Sequence, residues 1–441
     1  MNEILEQLIS EFQERRLPGL QRRRTMLKAL PGKVSAVVGM RRTGKTWFCF
    51  QAIQDLEAAG ITRDRILYLN FEDERLLPLS VADLRLIPEV FHRLFPESHS
   101  RGVHFFFDEI QSIPKWEFFV RRLMDSGTYA QLTLTGSSAK LLSREIATGL
   151  RGRALQTEIF PYSFMEFAVL RGIEIPSRPV FGSGLRARLG GAFDAYLRQG
   201  GFPEVQGDMS DALRREILQD YLNVVVLRDV VERHGVTNIP ALRAMLRHLL
   251  QSPGGRFSVH RFMNSLKSQG IACGKNLIHE CLAHLAEAYL FYPVEVHSRS
   301  VRQRQVNPRK VYTIDTGLSH AVSLEHARDR GAALESCVFM SLRRRGLEID
   351  YGITTGGNEV DFVFEDDAGK WLVQSAWSLS DPATRAREVR ALEEALDMGM
   401  GNRAAVVTAY EEEGFKIGRH QVRVVPAWRW LLEQEAESLK P

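Results

Sequence analysis

The chain has 441 residues, a length that predicts about three domains at roughly 150 residues each. Its composition, 44% hydrophobic and 25% charged, excludes a disordered or fibrous protein, and no apolar run approaches the roughly 18 residues of a membrane-spanning helix. A net charge of +4 is too small to indicate a nucleic-acid partner, and four scattered cysteines without CxxC spacing favour a reducing cytoplasm over a zinc site or a disulfide framework.

The first third of the chain alternates between strand and helix patterns. Helical spacing of apolar residues predicts helices over 3–17 and 45–59, and short apolar runs predict strands at 34–38, 66–71, 103–107 and 132–135. Strand, loop and helix recurring in this way predict a parallel sheet that is covered on both faces.

The remainder of the chain predicts two further patterns. Residues from about 165 to 250 are helical, and 241–315 predict three short helices followed by two strands, an order compatible with a winged helix. Near residue 330 a new module begins, with helices at 332–344 and 384–395 and strands at 349–353, 359–364, 371–377 and 404–408.

A phosphate-binding loop is predicted directly after the first strand. Residues 39–46 read GMRRTGKT and fit the pattern GxxxxGK[ST], in which glycines let backbone N–H groups point at phosphate oxygens. Lys45 would neutralise the β- and γ-phosphates of ATP, and Thr46 would offer its hydroxyl to Mg²⁺. A surface turn is the alternative, but the strand before the loop and the helix after it favour nucleotide binding. The predicted ATP-binding residues here are Gly39, Arg41, Arg42, Thr43, Gly44, Lys45 and Thr46.

Two acids end the strand at 103–107. In open α/β folds ligands bind at the carboxyl edge of the sheet, so Asp108 is predicted to hold Mg²⁺, directly or through water. Glu109 is predicted to orient and activate the attacking water. A solvated strand end is the alternative, and the phosphate loop upstream weighs against it.

Further side chains are candidates for contact with the nucleotide. Ser137 or its neighbour Ser138, after the strand at 132–135, is predicted to sense the γ-phosphate, with an ordinary turn as an equal alternative. Arg151 and Arg153 are candidates for a catalytic arginine supplied by a neighbouring subunit, and a solvated surface pair is equally compatible with the sequence.

A basic segment lies between the two predicted strands of the winged-helix region. Residues 297–310 contain five Lys or Arg and no acid, and basic side chains in such a wing contact phosphates without reading sequence. The helix before it would face the groove. A solvated loop is the alternative. The predicted DNA contacts are Lys275, Arg299, Arg302, Arg304, Arg309 and Lys310.

The order of short motifs along the whole chain resembles one known family. It is that of the bacterial and archaeal AAA+-like P-loop ATPases whose C-terminal half was long a domain of unknown function. The matching motifs are 39–46 (GMRRTGKT), 105–111 (FFFDEIQ), 134–138 (LTGSS), 150–153 (LRGR), 161–164 (PYSF), 200–204 (GGFPE), 228–230 (RDV), 312–318 (YTIDTGL), 333–335 (ALE) and 359–362 (EVDF).

This resemblance implies an α/β fold with four parts. They are a P-loop AAA+ core over 1–163, a helical lid over 164–240, a winged helix over 241–325 and, over 326–441, a fold similar to PD-(D/E)XK restriction-endonuclease-like nucleases. The resemblance also implies Arg151 or Arg153 as the trans-acting arginine, Arg228 as a lid sensor of nucleotide, and assembly into a homo-oligomer, with a hexamer favoured.

The nuclease-like module departs from the pattern of active enzymes. Glu335 and Asp361 lie where the family of folds carries metal-binding acids, but Gln374 replaces a third acid and Ala376 replaces a lysine. Losing an anionic ligand weakens the binding of a hard cation. An inactive nuclease fold, kept for DNA binding or assembly, is therefore favoured, and a structural salt bridge is the alternative role of Glu335 and Asp361.

Three functions agree with these observations. The first is a cytoplasmic, oligomeric, DNA-dependent ATPase, a helicase or translocase that acts on DNA, with branched DNA suggested by analogy alone. The second is a nucleotide-gated signalling or defence switch that holds a protein partner. The third is an ATP-regulated nuclease, which Gln374 and Ala376 argue against.

Overall fold

The protein is described by a computed structural model, which places residues 1–77, 79–137, 150, 152–176, 180–322 and 329–438. The described residues form two compact units, Met1–Phe160 and Pro161–Pro441. Across these ranges, no helix combines the length and the apolar character that crossing a membrane requires. The predicted boundaries at residues 240 and 325 both fall inside the second unit.

The first unit is built on five parallel strands. They are β1 (Val34–Val38), β2 (Ile66–Asn70), β3 (Val103–Asp108), β4 (Tyr129–Gly136) and β5 (Ala154–Glu158), arranged in the order β2-β3-β4-β1-β5. All neighbours are parallel, which confirms the predicted sheet. The helices are α1 (Asn2–Glu14), α2 (Lys45–Ala58), α3 (Leu86–Leu94), α4 (Ser98–Arg101) and α5 (Trp116–Ser126).

Apolar side chains explain why these elements associate. Every residue of β1 is buried, as expected of a central strand that is covered on both faces. Phe12 of α1 and Phe50 of α2 both pack against Tyr68 of β2, with ring centroids 5.4 Å and 5.0 Å away. These contacts close one face of the sheet and leave the carboxyl ends of the strands to carry the polar residues.

The second unit begins with helices and a small sheet. The helices are α6 (Phe164–Leu170), α7 (Ser183–Gln199), α8 (Asp211–Val224, continued by a π-helix over Val225–Glu232), α9 (Ile239–Gln251), α10 (Val259–Ser268) and α11 (Lys275–Glu287). Three antiparallel strands, β6 (Arg256–Phe257), β7 (Phe291–Val294) and β8 (Arg309–Thr313), pair in the order β6-β8-β7.

The segment predicted as a basic loop between β7 and β8 is partly helical. Its helix, α12, spans Val301–Val306 and is capped by Ser300, whose hydroxyl accepts a hydrogen bond from Gln303 N–H at 3.3 Å. Such a cap satisfies a backbone donor at the first turn, which a pattern of apolar residues does not reveal.

A six-stranded sheet completes the second unit. Its strands are β9 (Asp350–Ile353), β10 (Glu359–Asp366), β11 (Gly369–Ser375), β12 (Arg403–Thr408), β13 (Glu413–Ile417) and β14 (His420–Pro426), in the order β13-β14-β12-β11-β10-β9. The helices α13 (Thr316–Val322), α14 (Arg330–Arg344), α15 (Pro382–Asp397) and α16 (Ala427–Ser438) accompany it. The helix and strand pattern predicted from residue 330 onward is confirmed.

Candidate nucleotide-binding site

The phosphate loop leaves the carboxyl end of β1 in a conformation that requires glycine. Gly39 has φ of +143°, and a Cβ atom there would lie 2.3 Å from the carbonyl oxygen of Ile159. Gly44 has φ of +96° and precedes the first turn of α2. The loop therefore packs closely against the neighbouring backbone and leads into the N-terminus of α2, where free N–H groups favour an anion.

Lys45 is folded into this loop. Its Nζ donates to the carbonyl oxygens of Gly39 at 3.2 Å and Met40 at 3.3 Å. The same ammonium lies 3.6 Å from Glu109 Oε1, and the lysine is only 5% exposed. The structure thus brings together the two residues that the sequence assigned to phosphate binding and to water activation.

Asp108 is buried at the end of β3 and is surrounded by hydroxyl groups. Thr46 Oγ1 and the Tyr68 hydroxyl each donate to Asp108 Oδ2 at 2.7 Å, and Thr135 Oγ1 donates to Oδ1. Burial and the neighbouring carboxylate raise the pKa of Tyr68 far above its usual value, so its hydroxyl stays a donor. Hydroxyl and carboxylate oxygens that adjoin in this way are the ligands that Mg²⁺ prefers, so these residues fit the ion.

Glu109 leaves the strand through a backbone turn. Its φ is +52°, in the left-handed region that a glutamate seldom adopts. The Glu109 N–H donates to Thr135 Oγ1 at 2.9 Å, and Gln111 donates to Glu109 Oε2. These bonds hold the carboxylate beside Lys45 instead of continuing the strand, and strain of this kind is typical of functional sites.

Thr135 is a site residue that the sequence alone did not identify. Its hydroxyl donates to the Asp108 carboxylate and accepts from the Glu109 N–H, whereas the sequence predicts a nucleotide contact at this strand end for Ser137, which is 1% exposed. The available signal was the alternation of residues 132–135, in which Thr133 and Thr135 share one face of β4. Only the pairing of β4 with β3 shows which threonine meets the acids.

Replacing Thr135 with valine is expected to lower ATP turnover by roughly tenfold to 100-fold with little change in ATP affinity. The substitution conserves shape, removes one bond to Asp108 and leaves the Glu109 N–H without its acceptor, at a cost of about 1–3 kcal/mol. Steady-state ATPase assays measure this effect. Thr133→Val is the matched control, because the Thr133 hydroxyl is buried without a hydrogen-bond partner in the described structure. Equal loss in both variants would contradict the assignment.

Other loop residues take supporting positions. The Thr43 hydroxyl donates to Met40 O at 2.9 Å, so it closes the loop internally. Arg41 pairs with Glu72 at 3.2 Å, and Arg42 has φ of +67°. Arg23, from the basic stretch after α1, donates to Thr43 O. The sequence places this arginine in a basic cluster over residues 22–28, for which it offers contact with the nucleotide or the lining of a central pore as roles.

The structure describes one of the two candidate trans-acting arginines. Arg151 lies outside the described residues. Arg153 precedes β5, and its guanidinium is 3.0 Å from Asp125 Oδ1. Because β5 runs parallel to β1, Arg153 is at the amino edge of the sheet. The phosphate loop begins at the opposite end of β1, and a strand of 5 residues spans roughly 16 Å. It is therefore remote from the nucleotide site of its own chain.

The predicted contacts in the second unit are also placed. Arg228 lies on the π-helix after α8, is 65% exposed and is 3.8 Å from Glu232. Lys275, Arg299 and Arg302 are exposed, and Arg304 is half-buried. Arg309 is half-buried and pairs at 2.9 Å with Glu295, the residue directly after β7.

Lys310 differs from its prediction as a DNA contact. It is 2% exposed, and its ammonium lies among the carboxylates of Glu335, Glu359 and Asp361. The reason is the alternation of a strand: β8 presents Arg309 to one face and Lys310 to the other, which is packed inside the unit. The sequence shows a basic pair but does not show which member points inward.

Comparison with known proteins defines the class. Residues 31–168 match the model of a family described as an AAA domain, so the first unit carries an AAA-type P-loop domain. Residues 190–329 match a domain of unknown function (DUF8612).

Two relatives then define the family. Uncharacterized protein MJ1544 of Methanocaldococcus jannaschii is 34% identical over 415 residues, which cover 92% of this chain and 90% of that protein. An uncharacterized protein of Haemophilus influenzae is 30% identical over 350 residues, covering 79% of this chain and 83% of that protein. The chain belongs to the family that these two proteins represent.

Two solved structures are similar to the chain at low superposition scores. The Aeropyrum pernix ORC1 protein, solved in complex with DNA, gives a TM-score of 0.28 at 15% identity and covers 75% of this chain and 92% of that chain. The Cdc6p structure from Pyrobaculum aerophilum gives a TM-score of 0.24 at 13% identity, covering 75% and 93%.

Proposed function

We propose that the chain is an ATPase that binds ATP with Mg²⁺ and hydrolyses it at the edge of the five-stranded sheet. The observation that carries this proposal is the meeting of two distant motifs. Thr46 of the phosphate loop contacts Asp108 at 2.7 Å, and Lys45 lies 3.6 Å from Glu109. Phosphoryl transfer needs charge neutralisation and an oriented water, and these four residues provide for both.

Each residue then has a defined role. The amides of the loop and the Lys45 ammonium hold the β- and γ-phosphates, with Lys45 exchanging its carbonyl partners for phosphate oxygens. Thr46 and Asp108 hold Mg²⁺, which supplies further neutralisation of the phosphates. Glu109 accepts the proton of the attacking water, and Thr135 keeps both acids in place.

We infer that the active form is a homo-oligomer, with a hexamer favoured. Arg153 supports this inference, because it is remote from its own phosphate loop, partly exposed and paired only with a surface acid among the described contacts. An arginine in that position is useful at the site of a neighbour. Specific ATPase activity is then expected to rise with protein concentration in the wild type, and to stay low in Arg153→Ala at every concentration.

We infer that DNA is the substrate on which the hydrolysis cycle acts. The order α9, β6, α10, α11, β7, β8 supports a winged-helix arrangement for this region, in which α11 would be the groove-facing helix. Lys275 on α11 and Arg299 and Arg302 between β7 and β8 are exposed. Exposed cations at the wing and at the start of this helix are the features that bind phosphates.

DNA is expected to stimulate ATP hydrolysis several-fold, and the double variant Arg299→Glu/Arg302→Glu is expected to lose that stimulation. Losing two phosphate contacts should reduce the slope of log affinity against log salt by about 0.9 for each contact. The measurement is steady-state ATPase with single-stranded, duplex and four-way-junction DNA, beside DNA binding at several salt concentrations.

The matched control is Arg390→Glu/Arg419→Glu, which makes the same charge change at exposed positions on α15 and on the turn between β13 and β14. Stimulation by one form of DNA, kept in this control, supports a DNA motor and names its substrate. Slow turnover that is equal with every DNA would overturn the motor and favour a nucleotide-gated switch that holds a protein partner.

A further inference from the structure

The ammonium of Lys310 is enclosed by three carboxylates of the second unit. Its Nζ lies 2.7 Å from Glu335 Oε1, 2.6 Å from Glu359 Oε1 and 2.9 Å from Asp361 Oδ1. The lysine side chain is 3% exposed. The acids come from α14 and β10, and the lysine comes from β8. The ammonium donates hydrogen bonds to Glu335 and Asp361, and it forms a third ion pair with Glu359.

Neighbouring groups fix the acids in place around this lysine. Ser375 N–H donates to Asp361 Oδ2 at 2.8 Å, and the Tyr312 hydroxyl donates to Glu335 Oε1 at 2.7 Å. Arg256 forms an ion pair with Glu359 Oε2, whereas Lys310 faces Oε1. The carboxylates are therefore oriented by partners other than Lys310, and they converge on one position.

Gln374 does not belong to the set that faces this position. Its side chain is 2% exposed and spans two strands: Oε1 accepts from Asp361 N–H at 2.8 Å, and Nε2 donates to Glu359 O at 2.8 Å. Both ends of the amide are thus used by the backbone of β10. A role for Gln374 as a neutral metal ligand would require breaking these bonds.

We propose that Lys310 is the resident cation of the carboxylate cluster formed by Glu335, Glu359 and Asp361, so that the chain itself closes a site that would otherwise bind a divalent metal ion. Three convergent, partly buried carboxylates need a cation nearby, and oxygen clusters of this kind take Mg²⁺ or Mn²⁺ when no protein cation fills them. Here the ammonium is covalently tethered and remains in place at any metal concentration.

Two consequences follow from the tether. The cluster holds no metal-activated water, so it does not hydrolyse phosphodiesters. In addition, Arg309 and Lys310 are the first two residues of β8, directly after the basic connection between β7 and β8. The ion cluster therefore fastens the end of that connection to the six-stranded sheet. The proposal rests on the second unit alone and is independent of the ATPase activity.

The test replaces Lys310 with methionine and asks whether a Mn²⁺ site appears. All proteins carry Asp108→Asn, so that the magnesium site of the first unit does not contribute. Lys310→Met is expected to bind Mn²⁺, seen as loss of the free-ion signal in electron paramagnetic resonance. At about 100 times the dissociation constant, Mn²⁺ should lower its unfolding equilibrium constant about 100-fold. The parent with Lys310 intact is expected to show neither effect.

The control is Lys310→Met/Glu359→Gln/Asp361→Asn, which removes the same ammonium together with two carboxylates and should fold without a response to Mn²⁺. A folded Lys310→Met protein that ignores Mn²⁺ would overturn the proposal. The proposal would also be overturned if Lys310→Met failed to fold both in Mn²⁺ and in chelator, because a divalent ion should replace the lost charge of the ammonium. Mg²⁺-dependent nicking of plasmid by the parent, abolished by Asp361→Asn, would also overturn it.

Discussion

Glu109→Gln is expected to lower the rate of ATP hydrolysis by at least about 100-fold while ATP still binds. The glutamine keeps the size of the side chain and its place beside Lys45, but it cannot accept the proton of the attacking water, and general-base catalysis contributes about 10²–10⁴-fold. The phosphate loop is untouched, so affinity for nucleotide should change little. Because turnover and binding separate in this way, the variant isolates the chemical step.

Turnover by steady-state assay and ATP affinity by calorimetry are the two measurements for this variant. Glu89→Gln on α3 is the control, since it makes the same chemical change at an exposed position of the same unit. Equal turnover in Glu109→Gln and the parent would remove Glu109 from the reaction and leave the buried Asp108 as the remaining acid. Loss of ATP affinity in Glu109→Gln would instead assign Glu109 to positioning Lys45.

Asp315→Ala is expected to destabilise the second unit by about 3 kcal/mol or more. The Asp315 side chain is buried and accepts N–H bonds from Gly201 at 2.7 Å and Gly317 at 2.9 Å. Alanine would leave two buried amides without an acceptor, each worth about 1–3 kcal/mol. The packing is close: a Cβ atom on Gly200 would lie 1.8 Å from Asp315 Oδ1.

The same residue is expected to make stability depend on pH. Burial raises the pKa of Asp315 from 3.8 to about 7, against the opposing effect of the two amide bonds. Because the folded pKa is the higher one, the stabilising effect of the neutral acid is complete below about pH 4 and is lost as the pH rises through about 7. The second unit should therefore unfold more readily at pH 8 than at pH 5.

Chemical denaturation of the full chain at both pH values measures this effect. Asp315→Asn is expected to reduce the difference in stability between the two pH values, since an amide does not titrate in this range. Part of the difference should remain, because burial raises the pKa of Glu335 to about 7 as well. Asp208→Asn changes an exposed acid of the same unit and should leave the difference intact. A pH response that is identical in both variants would show that Asp315 is ionised throughout.

The sequence by itself determined the parts of the protein that depend on neighbouring residues. The phosphate loop over 39–46 is defined by glycines and a lysine within one turn, and Asp108 and Glu109 follow directly from an apolar strand. Strands and helices with strong periodicity were predicted near their observed bounds, because burial imposes a period of two or 3.6 residues on the chain itself. These features need no knowledge of what lies across the sheet.

Elements with a weak apolar pattern are not predicted by the sequence. Strand β5, Ala154–Glu158, is a partly exposed edge strand with the sequence ALQTE, so it lacks an apolar run, and α12 depends on a serine cap inside a basic stretch. Edge strands and short capped helices are stabilised by hydrogen bonds and not by burial. Periodicity therefore contains little information about either of them.

Only the tertiary structure decided which distant side chains meet. Thr135 joins the acid pair because β4 lies beside β3, Arg153 is remote from the phosphate loop because β5 runs parallel to β1, and Lys310 faces inward because of its parity on β8. Each of these outcomes depends on strand order, direction or facing, which arise from contacts between residues far apart in the chain. Local composition cannot specify them, since a lysine beside an arginine has the same pattern whether it faces DNA or three carboxylates inside the unit.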